Sequence, residues 1–122
     1  PQQDSYEGIK EIIKILRKSP IPAGLGGSKS FCSITSIGFL SFPIPGMTIA
    51  LDFPMIKNVT KRIIDRLDDV VCELGGKIYP AKDALMSKSA FLQSFPNWNE
   101  FVKYKDPLFS SSFIRRIFGD DL

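Results

Sequence analysis

The clearest alternation of apolar and polar side chains runs from residue 47 to residue 53. Strand side chains point to the two faces in turn, so this pattern predicts a β-strand. Prolines at 43, 45 and 54 cannot donate a ladder hydrogen bond, and they set the ends of the strand. One row of side chains suits a core: Met47, Ile49, Leu51 and Phe53. The other row is small or polar and suits the wall of a cavity: Thr48, Ala50 and Asp52.

Two stretches with helical periodicity flank this strand. The first predicts a helix over residues 5–18, with Asp4 and Glu7 as a capping box. The second predicts a longer helix with Asn58 as its N-cap and Gly75-Gly76 as a left-handed C-cap. The predicted buried face of the first helix is Tyr6, Ile9, Ile12, Ile13 and Leu16. That of the second is Val59, Ile63, Ile64, Leu67, Val70, Val71 and Leu74.

A glycine-rich segment, AGLGGSKS, occupies residues 23–30. Serine stands before the lysine where a Walker A loop needs glycine, and the lysine stands where a dinucleotide loop needs its third glycine. We therefore expect a flexible connector here. The β-branched and small residues that follow predict a strand over 30–37, antiparallel to 47–53.

The character of the chain changes after Gly76. Residues 77–79 predict a short strand ended by Pro80, followed by short helices over 84–86, 87–95, 97–104 and 113–118. Asn97 and Glu100 resemble a second capping box, Asp106-Pro107 a turn, and serines 110–112 a cap. The aromatic residues of this part predict a need for a surface to pack on: Phe91, Phe95, Trp98, Phe101, Tyr104, Phe109, Phe113 and Phe118.

Together these elements predict an α+β fold. It is a helix–strand–strand–helix layer, part of an antiparallel sheet covered by helices, followed by a short strand and short helices. We place a boundary at Gly75-Gly76, between units 1–76 and 77–122. A sheet of two strands is marginal by itself, so we expect this chain to be a piece of something larger.

Composition narrows the chemistry. The 122 residues contain no histidine, which excludes Ser-His-Asp and Cys-His catalysis and argues against a zinc site, so no metal is expected. The net charge of +3 comes from scattered lysines and arginines and does not indicate nucleic-acid binding. No apolar run approaches the roughly 20 residues of a transmembrane helix.

The two cysteines and the start of the chain bear on its compartment. Cys32 and Cys72 lie in apolar-looking elements and favour buried thiols in a reducing, cytoplasmic protein, with one disulfide as the alternative. There is no signal peptide at the start, but the chain opens on Pro1, so processing or truncation remains an alternative.

The candidate site is YPAKD, residues 79–83. Pro80 ends the predicted strand, so Tyr79 is its last residue and Lys82 lies on the turn beyond it, where a rigid sheet would hold both against a ligand. A partly desolvated lysine there could stabilise a developing anion. A surface lysine and a packing tyrosine are the alternative.

Three motifs in register extend this prediction. LSFPIPGMTIALDFP at 40–54, GGKIYPAKD at 75–83, and DPLF at 106–109 with Arg115-Arg116 resemble the C-terminal part of FAD-linked oxidoreductases of the vanillyl-alcohol-oxidase type. This family includes aldonolactone oxidases, and the chain is most similar to its decaprenylphosphoryl-ribose 2-oxidases. The resemblance covers about residues 30–116.

The resemblance implies roles for particular residues. Lys82, with Ala81, would lie at the N1/O2 side of the flavin, and Tyr79 would line the substrate pocket. Thr48 and Ala50 would stand where those enzymes have an Asn and a Cys, and Thr35 on or near the place of a pocket lysine. These departures imply a smaller, less polar pocket that lacks the thiol and a basic contact.

The resemblance also implies the function and the partners. The chain would be the C-terminal portion of an FAD-dependent oxidoreductase that oxidises a sugar or sugar-lactone hydroxyl by hydride transfer to flavin. Residues 1–76 would end its substrate-binding (cap) domain and 77–122 would return to its FAD-binding domain. FAD would be held mainly by an N-terminal part outside this chain, and the isolated chain would be inactive. The alternative is a self-contained α+β ligand-binding or protein-interaction module without catalysis.

Overall fold

A computed structural model describes residues 1–33, 36–80 and 84–119 of the chain, with Leu25 described by its backbone alone. It contains helices and strands in the order α1 (Ser5–Arg17), β1 (Gly24–Phe31), β2 (Gly46–Asp52), α2 (Val59–Glu73), α3 (Lys88–Ser94), α4 (Trp98–Val102) and α5 (Ser112–Phe118). The predicted α+β class and helix–strand–strand–helix order are confirmed.

The chain divides into two compact units. The first consists of Pro1–Thr35 and Pro43–Gly76, and the second of Ser36–Phe42 and Lys77–Leu122. One division thus falls directly after Gly76, and the sequence did not indicate that residues 36–42 join the second unit. The assignment of residues 1–76 to a cap domain and 77–122 to an FAD domain stays a prediction.

The glycine-rich segment is a strand, so the expectation of a flexible connector at 23–30 is wrong. β1 pairs antiparallel with β2, with Lys29 opposite Thr48 and Gly27 opposite Ala50. The register shifts between Leu25 and Gly27, where Gly27 has a φ of 153° that favours glycine. The predicted strand over 30–37 is also wrong within the described residues, because β1 ends at Phe31. Residues 26–30 are all exposed. Their sequence therefore lacks the alternation of buried apolar and exposed polar side chains by which a strand is recognised.

β2 begins one residue earlier than predicted, at Gly46, and ends at Asp52. The expected apolar row is partly correct. Leu51 and Phe53 pack against the core of the first unit, but Met47 is 52% exposed. The C-terminal end of this row, at Leu51 and Phe53, therefore contributes to the core, whereas Met47 at its N-terminal end does not.

The core of the first unit lies where α1 packs on α2. Its buried side chains are Ile15, Ile21, Ile63 and Leu67. The predicted face of α2 is confirmed at Ile63 and Leu67. The predicted face of α1 is correct at Ile12 and Leu16, which pack against this core, but it omitted the buried Ile15 and included Tyr6, which is 69% exposed. Gly8 of α1 lies close to the end of α2, since a Cβ there would be 2.8 Å from Leu74 Cδ1.

The predicted helix caps have mixed outcomes. Asp4, Asn58 and Asn97 stand at the N-caps of α1, α2 and α4, but none of the three makes a side-chain cap hydrogen bond. The two capping boxes are therefore wrong. Their glutamates bind neighbouring lysines instead: Glu7 pairs with Lys10 at 3.0 Å, and Glu100 with Lys103 at 2.7 Å.

The C-terminus of α2 has the predicted left-handed cap. Gly75 has a φ of 64°, its N–H donates to the Cys72 carbonyl, and the Gly76 N–H donates to the Val71 carbonyl at 2.7 Å. This pair of bonds is the Schellman motif. It ends α2 at the boundary of the first unit.

The second unit differs from its predicted elements at two places. Residues 77–79 do not form a strand, and residues 84–86 are not helical. The predicted serine caps are correct: Ser87 accepts from the Ala90 N–H, and Ser111 from the Ile114 N–H. The turn at Asp106 is also found, because its carboxylate accepts from the Leu108 N–H at 2.8 Å.

Most aromatic residues of the second unit form a cluster, whereas Tyr104 and Phe109 are exposed, 77% and 73%, so the expectation that this part needs a further surface stays a prediction. Phe91 of α3 lies at the centre of this aromatic cluster, 3% exposed. Its ring centroid is 5.1 to 5.7 Å from those of Phe95, Trp98, Phe113 and Phe118. Edge-to-face and tilted pairs of this kind are favourable, and they join α3 and α5 to the start of α4.

The two cysteines differ from each other. They do not form a disulfide, and Cys32 is exposed, contrary to the expectation that both are buried. Cys72 on α2 is partly buried. Burial, and then the negative charges of Asp68 and Asp69, raise the pKa of the Cys72 thiol.

We predict that a threonine supports the start of α2. Thr60 is 1% exposed; its hydroxyl donates to the Pro54 carbonyl at 2.7 Å and accepts from the Ile56 N–H at 2.9 Å. Thr60→Val keeps the volume but loses both bonds, and should lower the free energy of unfolding by about 1–3 kcal/mol in urea denaturation. Thr60→Ser is the control. If Thr60→Val were as stable as Thr60→Ser, this role would be wrong.

Thiol modification should separate the two cysteines. At pH 8 we expect iodoacetamide to alkylate Cys72 roughly tenfold more slowly than Cys32, because the thiolate is the reactive form. Cys32→Ser and Cys72→Ser variants assign the rates by mass spectrometry, and in urea the two rates should converge. Because the pKa of Cys72 is raised in the folded state, its contribution to stability is lost as pH rises through that pKa. Equal rates in the folded protein would contradict this account.

Candidate functional site

Tyr79 is the predicted site residue that the structure describes in most detail. Its side chain is 55% exposed, and its ring centroid lies 5.1 Å from that of Phe42 at an angle of 57°. Both residues belong to the second unit. Phe42 therefore covers part of the Tyr79 ring, while the rest of the ring is accessible to a ligand.

The backbone before Tyr79 is fixed by α3. The Ile78 N–H donates to the Ser94 Oγ at 3.0 Å, and Ser94 is 1% exposed. A buried N–H that lost this acceptor would be costly. Ser94 lies one turn after Phe91 on α3, so the aromatic cluster positions the serine that holds this segment.

Lys77 immediately precedes Ile78, and Tyr79 immediately follows it. Its Nζ donates to the Ser41 carbonyl at 2.8 Å and lies 5.9 Å from the centroid of the Phe95 ring. Burial lowers the pKa of the Lys77 ammonium. Lys77 is thus a partly desolvated cation two residues from Tyr79.

Three predicted site residues lie outside the described residues: Thr35, Ala81 and Lys82. Their proposed contacts with substrate and flavin stay predictions. The segment that leads to Ala81 and Lys82 ends in the described Tyr79 and Pro80.

The other predicted pocket residues are on β2 in the first unit. Thr48 is partly buried, whereas Ala50 and Asp52 are exposed. Ala50 faces glycine across the ladder, since a Cβ added at Gly26 would lie 3.5 Å from the Ala50 Cβ. The role of Thr48 and Ala50 as the wall of a substrate pocket stays a prediction.

Sequence reasoning missed Phe42, Lys77 and Ser94. Phe42 and Lys77 lie inside the motifs at 40–54 and 75–83, but their contacts join residues that are 36 or 37 positions apart. No periodicity reports such a contact. Ser94 could have been found from the sequence, because it lies on the buried face of a short amphipathic helix. A buried serine hydroxyl needs a hydrogen-bond partner.

Within residues 1–33, 36–80 and 84–119, no cluster of three or more His, Cys, Asp or Glu side chains could hold a metal ion. None of the described helices has the length and apolar character to cross a bilayer.

Comparison with known proteins identifies relatives. Over 93% of its length, the chain is 36% identical to the decaprenylphosphoryl-β-D-ribose oxidase of Mycolicibacterium smegmatis, across 125 aligned residues. It is 28% identical over 89 residues, 69% of its length, to an uncharacterized protein in the mprA 5′ region of Streptomyces coelicolor. No family model matches the chain.

The predicted resemblance to FAD-linked oxidoreductases, and to decaprenylphosphoryl-ribose oxidases among them, is confirmed by the first of these relatives. The chain covers 25% of that oxidase and 24% of the second relative. It therefore spans about a quarter of the length of the curated relatives it matches.

Among the described residues, Tyr79 offers a partly exposed aromatic ring. The glycine-rich residues 24–27, by contrast, lie in the ladder with β2 and form no loop or helix N-terminus that could hold a pyrophosphate.

We predict that Ser94→Ala loosens the segment that carries Tyr79. The Ile78 N–H would lose its acceptor, so the free energy of unfolding should fall by about 1–3 kcal/mol, and the Ile78 amide should exchange faster. Ser110→Ala, an exposed change in the same unit, should stay within about 0.5 kcal/mol of the unsubstituted protein. Unchanged protection of the Ile78 amide would show that Ser94 does not hold this segment.

Proposed function

We propose that this chain is the C-terminal portion of an FAD-dependent oxidoreductase that oxidises a hydroxyl group of a sugar or sugar lactone. The observation that carries the proposal is the 36% identity to an oxidase over 93% of the chain. That alignment includes a quarter of the oxidase, so most of the cofactor contacts are assigned to the rest of the protein, its N-terminal FAD-binding part.

In this proposal Tyr79, Ala81 and Lys82 meet the cofactor and the substrate. When bound, FAD supplies the hydride acceptor, and the reaction removes a hydride and a proton from the substrate C–H and O–H groups. Lys82 would place a positive charge at the flavin ring, where a cation makes hydride acceptance more favourable. Ala81 contacts the cofactor beside it, and Tyr79 lines the substrate pocket.

Substrate selection is assigned to other positions. Thr48 and Ala50 of β2, with Thr35, form the wall that limits what approaches the hydroxyl to be oxidised. Their small side chains favour a compact sugar or lactone over a substrate that needs a basic contact. The exposure of Ala50 and its glycine neighbours supports this assignment.

The sharpest test of the proposal is Lys82→Ala in the full-length protein loaded with FAD. We expect folding and FAD content to be kept, and the anaerobic flavin reduction by substrate to slow roughly tenfold to a hundredfold, because a positive charge near the reduced ring is lost. Stopped-flow absorbance measures the rate. Decaprenylphosphoryl-β-D-ribose and an aldonolactone serve as substrates.

Lys103→Ala is the matched control, because Lys103 pairs with Glu100 on the exposed side of α4. The flavin of this variant should be reduced by substrate at the same rate as that of the unsubstituted protein. If the flavin of the Lys82→Ala protein were reduced as fast as that of this control, the role of Lys82 would be wrong. If neither substrate reduced the flavin of the unsubstituted protein, the proposed function would be wrong.

A further inference from the structure

Residues 36–42 and 77–79 meet in the second unit, although they are far apart in the sequence. Residues 36–42 form no helix or strand, and residues 36–39 are exposed. This loop contacts the rest of the unit through the Ser41 carbonyl, the Phe42 ring and the Phe39 ring, which stacks on Tyr104 at 5.8 Å.

Two of these contacts are made by the segment before Pro80. Lys77 binds the carbonyl of Ser41, and Tyr79 packs on the ring of the next residue, Phe42. The residue between Lys77 and Tyr79 is held separately, by Ser94. Ser41 and Phe42 are consecutive, and they contact Lys77 and Tyr79, which lie on either side of the anchored Ile78. The Lys77–Ser41 hydrogen bond and the Phe42–Tyr79 ring contact are therefore geometrically linked.

The Lys77 hydrogen bond is the polar contact of this pair. A lysine on a surface normally keeps its ammonium in water, whereas Lys77 gives up part of its hydration and binds a main-chain carbonyl. A hydrophobic residue of similar length could fill the same space beside Phe95, but it could not fix the position of Ser41. The hydrogen bond from the Lys77 ammonium therefore fixes the position of the Ser41 carbonyl, which packing alone would not fix.

We propose that Lys77 is a positioning residue, which holds Ser41 so that Phe42 fixes the ring of Tyr79 in the substrate pocket. The place of Tyr79 in that pocket rests on the proposed function. Lys77 itself touches neither substrate nor cofactor. It acts through the loop, and its removal changes how the substrate is held more than how fast the bound substrate reacts.

The first test reports on Tyr79 directly. The chain has three tyrosines, at 6, 79 and 104, and 3-fluorotyrosine labelling with a Tyr79→Phe variant assigns the fluorine resonance of residue 79. Lys77→Met should shift that resonance, and Lys77→Arg, which keeps hydrogen-bond donors, should restore it. The Tyr6 resonance should not move, because Tyr6 lies on α1 beside Lys10. Lys103→Met is the control for an exposed lysine.

The second test uses the full-length protein with FAD and the substrates named above. Lys77→Met should raise KM roughly fivefold, because Tyr79 is no longer held in one position against the substrate, and should leave flavin reduction at saturating substrate within about twofold of the original rate. Lys77→Arg should return KM to its original value. Thermal unfolding confirms that both variants are folded.

An unmoved Tyr79 resonance in a folded Lys77→Met protein would overturn the proposal, as would a shifted resonance with an unchanged KM. Failure of the proposed function is seen elsewhere, in an unsubstituted protein whose flavin neither substrate reduces. The resonance test does not depend on turnover and therefore decides the Lys77 contact in either case.

Discussion

The packing of four aromatic rings around Phe91 is the constraint on which the second unit depends. It joins α3 to α5 and to the first residue of α4, so three short helices that would be marginal separately share one core. Ser94 lies on the same helix and accepts the Ile78 N–H. The segment before Tyr79 is thus connected to this cluster by the Ile78–Ser94 hydrogen bond and by Lys77, which lies beside the Phe95 ring.

The sequence predicted those parts of the fold that follow from local rules. Helix α2 was found because its buried positions repeat with helical spacing and because Gly75 adopts the left-handed conformation that ends it. Helix α5 was found from Ser111 and Gly119 in the same way. The order of the elements and the α+β class followed from these signals, and the structure confirms them.

Several of the errors lie where a distant partner decides the local structure. Residues 24–31 form a strand because β2 pairs with them, although glycine and serine have little strand propensity. The two capping boxes fail for a local reason, because Glu7 and Glu100 each pair with the lysine three residues further along the chain. At the site, Tyr79 could be proposed from its motif, whereas Phe42 and Lys77 depend on a contact between segments that periodicity does not report.

The proposed oxidoreductase rests on sequence similarity that extends over 93% of the chain. The structure describes the residues that precede Ala81 and Lys82: an anchored Ile78, an exposed Tyr79 and a lysine held at Ser41. The most direct test is an experimental structure of the full-length protein with FAD bound. Our account predicts that the Lys82 Nζ lies within hydrogen-bond distance, about 3 Å, of flavin N1 or O2. A flavin whose N1 and O2 atoms are far from Lys82 would contradict it.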